Sequence, residues 1–149
     1  MPQKLTIKVG RRPAIVITRE ALAHERLVYL ALTSRPSRYP YARSRIAYIG
    51  TTKRGARRIA SSAASKADRM LAKYGVKELS FYIVSCRSRQ GLKTWHKLER
   101  ALLLTFREMH GVVPHCNTQG KRMKWRDELD YFTSKRLRAT ISRYARGAS

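Results

Sequence analysis

Two places in this chain put reactive side chains where packing alone does not ask for them. In RIAYIGTTKRGARRI, residues 45–59, an alternating run closes on Tyr48-Ile49-Gly50. It is followed at once by Thr51, Thr52 and the cations Lys53, Arg54, Arg57 and Arg58. A strand that ends at a glycine and gives way to a helix gathers backbone donors, hydroxyls and guanidinium groups at one edge of a sheet. Phosphate is the natural guest of such a corner, and a basic solvated turn is the plainer alternative. The second place is HKLERALLL, where Glu99 stands four residues after Trp95 and seven before Phe106, on the margin of an apolar helix face. A carboxylate there is costly without a partner. An arginine, solvent or a bound cation would each supply one.

The elements that must position these groups are readable from hydrophobic period. KLTIKV and AIVI, joined by Gly10-Arg11-Arg12-Pro13, predict an N-terminal hairpin, and TREALAHE predicts a short helix capped by Thr18. RLVYLALT and RIAYIG read as two strands, with SRPSRYPYARS between them as a long loop. From Arg54 to Tyr74 the apolar positions recur at helical spacing, and Gly75 stops them. LSFYIVSC is a third strand, and Leu92 to Met109 a second amphipathic helix. Trp125, Leu129, Phe132, Ile141 and Tyr144 predict a long terminal helix, acids (Asp127, Glu128, Asp130) first and bases last, as its dipole prefers. The fold expected is α/β: a small central three-stranded antiparallel sheet flanked by helices, with an N-terminal hairpin and a C-terminal basic helix. The divisions expected are residues 1–24 as the hairpin extension, 25–120 as the core and 121–149 as the basic helix packed on it.

A length of 149 residues and a hydrophobic share of 43% suit one domain with a full core. Against that core stand 33 Lys+Arg and 9 Asp+Glu, a formal net charge of +24. Such a body repels itself and attracts polyanions, so nucleic acid is the expected partner, double-stranded DNA first. Runs such as AIVI and ALLL are too short to span a bilayer, and no signal-peptide apolar stretch opens the sequence. A membrane partner is therefore not expected. Cys86 and Cys116 stand alone, outside any CxxC pattern, and His110, His115 and Cys116 match no zinc spacing. A reducing cytoplasm is the expected compartment, nucleoid-associated if the source is prokaryotic.

Taken together, the motifs resemble the GIY-YIG nuclease superfamily. The second signature triplet stands as Tyr48-Ile49-Gly50, and Leu27-Val28-Tyr29 on the preceding strand keeps the tyrosine of the first. Arg58, ten residues after Tyr48, matches the family's phosphate-binding arginine. Glu99 resembles its metal-binding glutamate, and Asn117, in PHCNTQG, the asparagine that closes the motif set. Ser62 replaces the histidine that many members carry one turn after the arginine. The resemblance covers residues 27–120 and implies an endonuclease with catalytic Tyr29, Tyr48, Arg58, Glu99 and Asn117. It implies one Mg²⁺ (or Mn²⁺) on Glu99, Tyr29 as general base or relay, and Tyr48 as the group that positions water. A one-carboxylate site is also the only metal-nuclease design that nine acids readily support, since Asp68, Glu78 and the 127–130 cluster read as surface or capping residues.

Binding residues are expected on three segments. Arg35, Arg38, Arg43 and Arg45 share a loop with Tyr39 and Tyr41, arginines for phosphates and tyrosines for sugars or exposed bases. Lys53, Arg54 and Arg57 flank the corner, and Arg136, Arg138 and Arg143 line the terminal helix. The rival reading is a non-catalytic nucleic-acid-binding protein, ribosome-associated or architectural, that shares the fold.

Overall fold

Short apolar runs rich in Leu, Ile, Val and Tyr in the middle of the chain form a three-stranded antiparallel sheet, order β2-β1-β3, with the central strand β1 buried on both faces over its first seven residues. A computed structural model describes residues 3–8, 10–13, 15–22, 26–52, 59, 61, 67–73, 75, 78–87 and 91–148. The elements are α1 (Arg19–Leu22), β1 (Leu27–Arg38), β2 (Arg43–Thr52), a helical stretch at 67–73 (α2), β3 (Leu79–Val84), α3 (Thr94–His110) and α4 (Ser134–Ala145). The expected cap of α1 is present, with the Ala21 N–H donating to Thr18 Oγ1 at 3.1 Å. Gly75 turns at φ +60 just past α2, in the left-handed conformation that ends helices.

Register decides what each face of the sheet carries. Leu30 opposes Ile49, and a one-residue slip at Ala47 then sets Leu32 against Ile46, so both isoleucines point the same way. With Val28 they meet Leu98, Ala101, Leu102 and Phe106 of α3 and Leu137 and Ile141 of α4 in a single core. Tyr29 opposes Gly50 on one side and Ile83 on the other, so it lies on the opposite face with Ala31, Tyr48 and Phe81. Among the described residues no helix is long and apolar enough to cross a membrane.

Four expectations need correction. SRPSRYPYARS is mostly strand: β1 runs to Arg38, β2 starts at Arg43, and the Tyr39 N–H closes the turn on Ala42 O at 2.9 Å. Pro36 is tolerated because the register passes from Leu32–Ile46 to Ser37–Ser44, leaving four residues of β1 against one of β2. A bulge needs no ladder donor from proline. None of the described residues among 3–18 is in a strand, where the sequence predicts the N-terminal hairpin. Leu5 and Ile7 are 93% and 87% exposed, and two strands with no face to bury are marginal.

β2 also continues past Gly50 to Thr52, so that glycine is no corner. Finally, the terminal helix begins at Ser134, capped by Thr133, whose side chain accepts from the Arg136 N–H. The acids before it form a separate 3-10 turn (Glu128–Asp130). Glu128 is 1% exposed and accepts from Arg100 Nε at 3.0 Å. Burial pushes its carboxyl up, but the backbone donors of Glu128 and Arg126 and the Arg100 guanidinium outweigh that and hold it low.

Candidate active site

Two tyrosines of neighbouring strands meet. Tyr29 and Tyr48 lie diagonally across the β1–β2 ladder on one face, ring centroids 5.8 Å apart and planes tilted by 41°. Gly50 is what lets them. A β-carbon there would stand 2.5 Å from Tyr48 Cε1, 3.0 Å from the Tyr48 hydroxyl and 3.1 Å from Tyr29 Cζ. The third residue of the triplet therefore clears room for both phenol tips. Tyr29 is 3% exposed and also packs on Phe81, whereas Tyr48 is only half-buried.

Asn117 secures the same strand from the other side. Its Oδ1 accepts from the Ile49 N–H at 3.0 Å, and its Nδ2 donates to the Ile49 carbonyl at 2.8 Å. The neighbouring Cys116 N–H donates to Ala47 O at 3.0 Å. Segment 116–117 thus pairs with the outer edge of β2 as a short extra strand would. Both ends of the Asn117 amide are thus engaged on the backbone of β2.

Glu99 reaches this strand from the helical face. Its carboxyl hydrogen-bonds with the Thr51 side chain, directly after Tyr48-Ile49-Gly50. Burial pushes its pKa up, and the Thr51 bond and the positive charge of Arg100 offset this only in part. Arg100 is itself committed elsewhere, to Glu128 and, through Nη2, to Lys124 O at 2.6 Å. The result is a partly buried carboxylate that forms no salt bridge with a described cation. Strand alternation puts the Thr51 side chain on the α3 face and the tyrosines on the other, so carboxylate and phenols converge on the Gly50–Thr51 backbone from opposite sides. Sequence reasoning misses the partnership with Thr51, although the position of that threonine next to the triplet is an available signal.

Among the described residues no group of three His, Cys, Asp or Glu could hold a metal ion. His110 stacks on Phe106 at 4.1 Å, and burial holds its imidazole below the usual pKa despite backbone carbonyl contacts. His115 stacks on Tyr39 at 4.0 Å. A single carboxylate suits Mg²⁺, which keeps several waters, and does not suit the three or four side-chain ligands of zinc.

The expected cations divide. Lys53, Arg54, Arg57 and Arg58 lie outside the described residues. Arg35 donates to Gly75 O at 3.1 Å, and the Arg45 guanidinium packs where Gly147 leaves space, 2.7 Å from the position a β-carbon would take. Arg38, Arg43, Arg136, Arg138 and Arg143 are exposed, and none of them pairs with a described carboxylate. Tyr39 does not await a base. It is buried, donates to Ile46 O at 2.7 Å and accepts from the His115 N–H at 3.1 Å. Tyr41, 73% exposed, is the solvent-facing tyrosine of the turn. No protein-family model, no curated protein and no solved structure matches this chain.

Proposed function

We propose that this protein is a metal-dependent endonuclease that hydrolyses DNA phosphodiester bonds, with double-stranded DNA as substrate. The observation that carries this reading is Glu99: a desolvated carboxylate bonded to Thr51, beside a strand whose two preceding motif tyrosines crowd over Gly50. A protein that only binds polyanions gains nothing from such a carboxylate. The rival reading, a binder that keeps the fold, draws on the near-complete burial of Tyr29.

Hydrolysis forms one P–O bond from water and breaks one P–O bond to a sugar oxygen, which leaves with a proton. Glu99 would hold one Mg²⁺ or Mn²⁺, which when bound supplies charge neutralisation at the non-bridging and leaving oxygens. In this reading the scissile phosphate sits at the Gly50–Thr51 end of the sheet, the one place that the Glu99 face and the tyrosine face share, and Tyr48, the more exposed phenol, orients the attacking water there. Tyr29 behind it takes up or relays the proton. A free phenol has a pKa of about 10, so this role needs the surrounding positive charge to favour phenolate. Arg58 grips the scissile phosphate with a bidentate fork. Asn117 keeps β2 in place beneath the tyrosines. Incubation of supercoiled plasmid with the protein and Mg²⁺ or Mn²⁺ should give nicked or linear DNA, and EDTA should stop it. Glu99→Gln should abolish cutting; normal cutting by that variant would refute the assignment.

A further inference from the structure

The sheet end that carries Thr51 holds one more group that the reaction above does not use. Arg26 immediately precedes β1, and Leu27 pairs with Thr52, so Arg26 stands where β2 finishes. Its guanidinium lies over the Trp95 indole, Cζ 4.9 Å from the ring centroid. Trp95 is in turn one helical turn ahead of Glu99 on α3. Arg26, Trp95, Glu99 and Thr51 thus gather at one end of the molecule.

Two features of this pair are not explained by folding. Trp95 is 6% exposed, and its buried Nε1 finds no hydrogen-bond partner among the described residues. An unpaired buried N–H is a standing cost. Arg26 is exposed and pairs with no described carboxylate. A guanidinium held over a ring face retains N–H donors for a planar, bidentate acceptor. The ring face under Arg26 is covered, which disfavours base stacking and favours a phosphate.

We propose that Arg26, backed by Trp95, binds a nucleic-acid phosphate flanking the scissile one. This rests on the nuclease reading for the location of the scissile phosphate. The contact with the Trp95 ring restrains the guanidinium before the strand arrives.

The chain has two tryptophans, so a Trp125→Phe background leaves Trp95 as the sole indole reporter. Adding Glu99→Gln prevents cutting and removes a negative charge beside the site. In that protein a 12-base-pair DNA duplex should change Trp95 emission on saturation. Arg26→Ala should abolish the change, weaken duplex binding about tenfold, and flatten the salt dependence by about 0.9 log units. Circular dichroism checks that the variant folds. Silent Trp95 emission at saturation, or parental affinity in Arg26→Ala, would overturn the proposal. If the plasmid assay shows no cutting while the Trp95 response stands, the nuclease reading falls and the phosphate site survives. Cutting with a silent Trp95 means the reverse.

Discussion

The side-chain amide of Asn117 pairs with the backbone of Ile49 as a neighbouring strand would, donating at 2.8 Å and accepting at 3.0 Å. The two residues are 68 positions apart, so this pairing is the stitch between segment 116–117 and the triplet strand. Asn117→Ala leaves both Ile49 groups unpaired in a buried setting and should cost about 2 kcal/mol. Asn117→Asp should cost more, because a carboxylate cannot donate and would face the Ile49 carbonyl. Urea unfolding checks both, read as a lower midpoint at unchanged slope.

Gly50→Ala tests whether the glycine is there for clearance. A methyl group 2.5 Å from Tyr48 Cε1 must displace the ring, and overpacking of this kind costs about 1–3 kcal/mol. Removing the obstacle should restore part of the loss. Tyr48→Ala combined with Gly50→Ala should therefore be less destabilising than the sum of the single variants.

The raised pKa of Glu99 has a signed consequence for stability. Its folded value lies above the unfolded one, so the fold carries a penalty that grows as pH rises through that interval and is complete above it. Glu99→Gln should melt at a higher temperature than wild type at pH 8. The gain should vanish below about pH 4, where the unfolded carboxyl is also protonated. Millimolar MgCl₂ should raise the wild-type melting temperature and leave that of Glu99→Gln unchanged.

Binding by α4 should be separable from chemistry at Glu99. Arg136, Arg138 and Arg143 are exposed on a helix anchored by Leu137 and Ile141. Replacing the three with alanine should leave the fold intact and weaken duplex binding. The plot of log affinity against log salt should flatten by about 0.9 for each phosphate that the helix no longer neutralises. Cutting at saturating DNA should persist. Loss of cutting at saturation would place this helix in the active site.

Much of this architecture can be read locally. Apolar runs bounded by polar and turn residues locate all three strands of the sheet, and helical spacing in TWHKLERALLLTFREMH locates α3 within two residues at its start and one at its end. The meeting of Tyr29 and Tyr48 follows from adjacent strands and a shared face. Where the reading fails, the deciding partner lies far along the chain. Ser34 to Ser44 looks like loop because of its Pro, Arg and Ser, yet most of it is strand around a tight turn, held by Tyr39, which binds Ile46 and stacks on a histidine 76 residues away. Glu128 looks like a surface acid until Arg100 meets it. Gly50 looks like a place to turn because a sequence does not display the two rings that need the space.

The hairpin tip is docked on the far end of α3. The Tyr41 N–H donates to His110 O at 3.1 Å, and Gly111, at φ +94, leaves room for Pro40. The near end is tied where Thr94 hydrogen-bonds Cys86. Glu99 is five residues from Thr94 and eleven from His110, so the helix acts as an unequal lever. If α3 pivots about its start, a displacement at its last residue reaches the carboxylate reduced to about a third. A site that tolerates about 0.5 Å would then survive a drift of about 1.5 Å at the tip. The same drift at Thr94, with the far end fixed, would pass on by about two-thirds and exceed that tolerance. Variation in the hairpin turn is thus mechanically cheap, whereas a comparable change between Cys86 and Thr94 should detune the carboxylate directly.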